Sequence, residues 1–148
     1  FFARYPDFKY QKGASLPLEF RRLGEESDWK KQQEKEAKRH LRDAMVKQFN
    51  TTYGRDASNL ASWQLLCSMI SDEPPPNTVN KCRKIIDSTH VNLVDFIDGL
   101  PGPFKVRTFP SVGDLAKYTH ANEKYFPKEN AHAGSLLKQL LRKIGRRQ

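Results

Sequence analysis

Arg142, Lys143, Arg146 and Arg147 crowd into about one and a half turns of the last predicted helix. Guanidinium and ammonium groups at that spacing neutralise phosphates and release condensed counterions, which drives binding that is indifferent to base sequence. Lys128 and Lys138 extend the run toward the N-terminus, and Lys124 stands nearby. The charge of the whole chain gathers in the same region. Residues 101–148 hold 10 basic and 3 acidic side chains, a net +7, against +4 over residues 1–60, −2 over 61–100 and +9 in total. An anionic partner is the expectation, with DNA or RNA first and an acidic protein as the alternative. The bland reading of the same residues is the solvated side of an amphipathic helix.

Other chemistry is thinly represented. The histidines, His40, His90, His120 and His132, contain no i,i+4 pair, and neither Cys67 nor Cys82 has a CxxC partner. No metal site of ordinary local spacing is therefore expected, and no cofactor. His90 reads as a capping or hydrogen-bonding residue at a helix start. Asp95 and Asp98 stand three apart, but Asp98 precedes Gly99, so both read as solvated or capping carboxylates rather than an acid–base pair. There is no phosphate-binding Gly-rich loop, no GxSxG and no HExxH. Both cysteines fall among apolar residues at helical spacing and read as buried free thiols. No catalytic residue is nominated, and the sequence leans away from an enzyme. It also lacks zinc-finger, basic-zipper and RNP signatures.

The elements that would position the basic run follow from apolar periodicity. Ser15 is placed to cap a short helix through about Leu23, with Pro17 in its first turn and Gly24 at its end. Ser27 or Asp28 starts the longest helix, closed by Gly54. Its first half is almost all charge, including Lys30, Lys31, Glu34, Lys35, Glu36, Lys38 and Arg39, and is expected to lie in solvent. Its second half carries an apolar stripe of Leu41, Ala44, Met45, Gln48, Phe49 and Thr52. Ser58 or Asn59 opens a third helix to about Ile70, and Thr78 a fourth with Val79, Cys82, Ile85 and Ile86 inward. Val91–Ile97 reads as a short helix, with a buried strand competing. Phe104–Phe109 alternates like a strand. Ser111 caps a helix holding Leu115, Ala116 and Tyr118. The last helix is expected from about Lys128 to Ile144, with Ala133, Leu136, Leu137, Leu140, Leu141 and Ile144 on its apolar face.

The expected fold is mainly α, a compact bundle of about six helices with at most one short β-hairpin near 104–109. Residues 1–14 form an N-terminal arm rich in aromatics (Phe1, Phe2, Tyr5, Phe8 and Tyr10), and 15–148 a single helical domain ending in the basic helix. The arm reads as packed onto the bundle. Its interleaved Arg4, Lys9 and Lys12 also fit a base-stacking platform. Trp63, Leu66, Phe49, Met45, Ile86, Leu137 and Leu140 are the expected core. No apolar run approaches membrane-spanning length, so no membrane partner is expected. With no signal peptide visible, an intracellular setting, nuclear or cytoplasmic, fits best. The chain begins on Phe1, which suggests a piece of a longer protein.

Several segments together carry a resemblance. They are Phe2-Ala3-Arg4-Tyr5-Pro6, Trp63-Gln64-Leu65-Leu66-Cys67, Cys82-Arg83-Lys84 and His90-Val91-Asn92-Leu93-Val94-Asp95. Glu19-Phe20 accompanies the first of these, and Phe109-Pro110-Ser111, Leu115-Ala116-Lys117-Tyr118-Thr119, Tyr125-Phe126-Pro127-Lys128 and the Gly134-to-Leu141 helix follow in the same order. This series, which spans nearly the whole chain, resembles a group of small proteins of filamentous fungi. The resemblance implies a fungal source and one domain of constant length, and it brings no catalytic or binding residues with it.

Overall fold

A computed structural model describes residues 1–11, 16–97 and 106–144. Among them the chain forms seven α-helices and one two-stranded antiparallel sheet, the mainly helical build its periodicity predicts. Helix α1 (Leu16–Ser27) carries Pro17 in its first turn, where a missing N–H costs nothing. It runs past Gly24, which does not end it as expected. Gly24 instead gives room to Trp29, whose ring lies 3.2 Å from where a Cβ would stand. The stop comes at Asp28, in the left-handed region at φ 49°, which Asp tolerates better than most residues. Helix α2 (Lys31–Tyr53) therefore begins later than Ser27 or Asp28, with Gln33 Oε1 accepting the Lys30 N–H at 3.0 Å. Gly54 ends it at φ 93°, its N–H bonded to the Asn50 carbonyl.

The buried face of α2 is Ala37, Leu41, Met45, Val46, Phe49 and Tyr53. The expected stripe is rotated from this. Gln48 and Thr52 lie in solvent and hydrogen-bond each other at 3.2 Å. Tyr53 takes the core position because its hydroxyl can donate to the Phe96 carbonyl at 2.6 Å.

Side-chain caps open the next helices. Asn59 accepts from the Ser62 N–H ahead of α3 (Leu60–Ser68), and Thr78 from the Lys81 N–H ahead of α4 (Val79–Asp87). These two helices pack against each other through Leu66, Cys67, Cys82 and Ile86, while Ile85, expected inward, is exposed. Strand β1 (His90–Val91) then pairs with β2 (Thr108–Phe109), His90 opposite Phe109. The segment 91–97 thus divides: Val91 is strand, and Leu93–Ile97 is helix α5, started by Asn92 Oδ1 accepting the Val94 N–H. Residues 104–105 of the expected strand lie outside the described residues. Ser111 caps α6 (Val112–Ala121) as expected, accepting from the Asp114 N–H. Thr119, not Ala116, joins Leu115 inside.

Helix α7 (Ser135–Lys143) starts later than Lys128. Residues 128–134 are held out of helix by side-chain bonds to α2 and its exit. Asn130 accepts from the His132 N–H and donates to Asp43. The His132 carbonyl accepts from Asn50 and Arg55. Gly134 is required where the chains cross, because a Cβ there would stand 2.6 Å from the Arg55 carbonyl oxygen. That same oxygen accepts the Leu136 N–H and the Ser135 hydroxyl. From α7, Leu136, Leu137, Leu140 and Ile144 enter the core beside Trp63 and Phe49.

The N-terminal arm makes a 3-10 turn at Phe2–Arg4, and its rings pack on one another and on α1. Phe1 meets Phe20, Tyr5 meets Trp29, and Phe2 stacks on Tyr10 at 4.6 Å. Phe8 is buried under the Arg22 guanidinium.

Cys67 and Cys82 are free and buried. Burial first, and the neighbouring Cys82 second, push the Cys67 thiol up to about 12. Neither thiol should react with a thiol reagent in native buffer, and both should react in denaturant. Rapid native labelling of either would contradict its burial and point to a nucleophilic thiol.

Candidate nucleic-acid interface

The apolar stripe of α7 faces the core, which turns Lys138, Arg142 and Lys143 outward, all three exposed. Lys138 and Arg142 stand four apart, on neighbouring turns of one face. Lys128 is also exposed but lies before α7, after the buried Pro127. Arg146 and Arg147 lie outside the described residues. Among the described residues, no carboxylate forms a salt bridge with Lys128, Lys138, Arg142 or Lys143. Their charges stay available to an outside anion.

A shallow groove of about 500 Å³ runs between α4 and α7, floored by the 56–58 loop. Ser135, Gln139 and Arg142 line one wall, and Val79 and Arg83 the other. The spacing 135, 139, 142 is one helical face, as is 79, 83. Arg83 was missed by sequence reasoning because it sits beside the Cys82–Ile86 stripe and outside the C-terminal charge run. The i,i+4 spacing of Val79 and Arg83 was the available signal. Its guanidinium lies over the Trp63 ring, 5.6 Å from the centroid. Trp63 Nε1 in turn donates to the Ala57 carbonyl of the groove floor at 2.8 Å.

Lys124 does not extend the basic face. Its ammonium donates to Asp95 Oδ1 at 2.6 Å and to the Tyr118 hydroxyl at 2.7 Å. The Tyr118 hydroxyl lies 3.0 Å from both Asp95 oxygens. The Lys124 and Asp95 side chains are 12% and 10% exposed, so Asp95 is not a solvated or capping carboxylate. Burial pulls the Lys124 pKa down, yet the bonds to Asp95 and Tyr118 outweigh it and hold the group at about 12. Asn92 ties the same corner, donating to Thr119 and to the Lys124 carbonyl. The network joins α5, α6 and residue 124 and satisfies its own members, which is the chemistry of a clasp. Asp98 lies outside the described residues. His90 neither caps nor bonds through Nδ1, which is buried in β1 without a partner. Among the described residues, no three His, Cys, Asp or Glu side chains gather as a metal site, and no helix is long and apolar enough to cross a membrane.

No family model, curated protein or solved structure matches the chain.

Proposed function

We propose that the domain binds nucleic acid, without catalysis, through the outer face of α7. The observation that carries this reading is the exposed set Lys138, Arg142 and Lys143, unpaired with any carboxylate among the described residues, on a helix whose opposite side is core. Lys128 and the Arg146 and Arg147 of the same sequence run add charge to the region. Each phosphate neutralised contributes a slope of about −0.9 to log K against log salt on duplex DNA and about −0.7 on single strands.

Binding should appear in a gel shift at about 100 mM salt and micromolar to 100 micromolar protein. The triple change of Lys138, Arg142 and Lys143 to Gln should weaken it on all sequences and flatten the salt slope by roughly two to three units on duplex DNA. The helical circular dichroism should be unchanged, since these residues lie off the apolar stripe. Binding that keeps its slope without the three charges would refute the assignment.

A second reading is a protein-interaction module. One observation favours it: from Lys31 to Arg39 only Ala37 is buried, leaving an exposed mixed-charge helix segment. An acidic protein would be the partner there. Loss of a captured protein on changing Lys30, Lys31 and Lys35, with no nucleic-acid shift in the parent chain, would decide for it. The buried Phe8 is not available to such a surface, and most of the other rings of the arm are engaged with one another or with α1.

A further inference from the structure

Two side chains that line the groove between α4 and α7 each carry a polar atom that the fold leaves unsatisfied. Arg83 Nε and Gln139 Oε1 are both buried and both without a hydrogen-bond partner. Buried polar groups are nearly always bonded, and a bare one carries an uncompensated desolvation penalty. Among the described residues four such atoms exist, and two belong to residues that line this one groove. They form a complementary set, a charged donor and a neutral acceptor. Arg83 and Gln139 are each only partly buried as residues, and both line the groove.

Other groups sharpen what the groove accepts. Arg142 adds a second guanidinium on the α7 wall. Asp56 is the one carboxylate lining it, and its charge is spent locally. It accepts from the Ser58 N–H at 2.9 Å and the Ser58 hydroxyl at 2.7 Å, and these bonds hold its carboxyl below the usual range. Two cations against one bonded anion favour an anionic group. The guanidinium fork, with Nε–H and a terminal N–H in parallel, matches two oxygens of a phosphate. Gln139 Oε1 needs a donor from the same ligand. A deoxyribose-phosphate inside a strand offers none from its sugar, whereas ribose offers the 2′-hydroxyl. The volume lies within the range of small-ligand clefts. The groove also adjoins Lys138, one turn from Arg142, so a strand entering it continues along the basic face.

We infer that this groove seats one ribose-phosphate unit of single-stranded RNA, with the phosphate on Arg83 and Arg142 and the 2′-hydroxyl donating to Gln139. The inference rests on the nucleic-acid reading above and makes it specific for RNA. Trp63 reports on it, since its ring lies under the Arg83 guanidinium and holds the groove floor through Ala57.

The test uses the full chain carrying Trp29→Phe, which leaves Trp63 as the sole tryptophan. One short single-stranded sequence is titrated as RNA, as DNA and as 2′-O-methyl RNA, reading Trp63 emission. RNA should bind roughly tenfold tighter than the other two, the worth of one well-made hydrogen bond. Gln139→Leu should collapse that difference, and Arg83→Gln should weaken RNA binding and abolish the emission change. Circular dichroism checks that each variant is folded. If Arg83→Gln unfolds the chain, Gln139→Leu still decides. Equal binding of RNA and DNA, or a preference that survives Gln139→Leu, would overturn the groove assignment while leaving the basic face intact. Failure of every oligonucleotide to bind would overturn both. Equal perturbation of Trp63 by RNA and by a phosphoserine peptide would also overturn it, in favour of a phosphopeptide groove.

Discussion

Asp95→Ala should destabilise the protein by about 3–5 kcal/mol, because it takes the carboxylate from a Lys124 ammonium whose side chain is only 12% exposed. For a chain of this size that is a fall in Tm of roughly 6–20 °C. Tyr118 would lose the oxygens to which its hydroxyl donates, and Asn92 would remain tied to a carbonyl whose side chain no longer has its anion. Removing both charges should be far milder than removing one. Asp95→Asn with Lys124→Met takes away the carboxylate and the ammonium together, and buried pairs replaced in this way often cost little. A thermal melt of the two singles and the double gives the coupling directly. The pH dependence has a defined sign. Lys124 titrates at about 12 in the folded protein against 10.5 for an ordinary lysine. Its contribution is therefore complete below pH 10.5 and lost as pH rises through about 12. Burial, and then Asp95, also raise the Tyr118 hydroxyl, which acts in the same direction. The alkaline fall in Tm should be blunted in Lys124→Met. A double variant whose loss equals the sum of the two single losses would mean the pair is not coupled.

Leu137→Ala should cost about 2–5 kcal/mol, through lost apolar transfer and the cavity left among neighbours that cannot fully close. Leu137 is 0% exposed, and the other core residues of α7, Leu136, Leu140 and Ile144, are as tightly enclosed. Leu141, half-buried on the rim of the same helix, should cost clearly less. Leu65, 40% exposed on α3, should cost least. Urea denaturation of the three alanine variants tests the order. A Leu137→Ala midpoint equal to the parent's would place Leu137 outside the core.

The helices were legible wherever an apolar stripe and a side-chain cap agreed. Asn59, Thr78 and Ser111 mark starts that the sequence places correctly, and Trp63, Leu66, Ile86, Leu137 and Leu140 are core as their spacing predicts. Misreadings cluster where a residue has two possible uses. Gly24 looked like a helix end and instead gives space to Trp29. The segment after Lys128 has helical composition, but Asn130 and His132 bind α2 instead, a contact some 80 residues distant that no local pattern carries. Lys124 and Asp95 looked solvated because charge usually is. Their pairing needs α5 and α6 to meet, which is a property of the tertiary fold. The exposed part of the basic face was visible as a charge run. The groove was not, since Arg83 and Gln139 come from helices more than 50 residues apart.

The late position of Leu136, Leu137, Leu140 and Ile144 has a consequence for the nascent chain. The hydrophobic faces of α2 and α3 emerge first, yet the helix that covers them is made last. At a synthesis rate of roughly 5–20 residues per second, Phe49 and Tyr53 precede Leu136 by roughly 4–17 s. During that interval Trp63 and Phe49 lack part of their native cover, and the Arg55 carbonyl lacks the N–H of Leu136 that it will accept. A ribosome-stalled chain halted before Gly134 should therefore be held by chaperones and be protease-sensitive, and one extended past Ile144 and clear of the ribosome should be released as a closed domain.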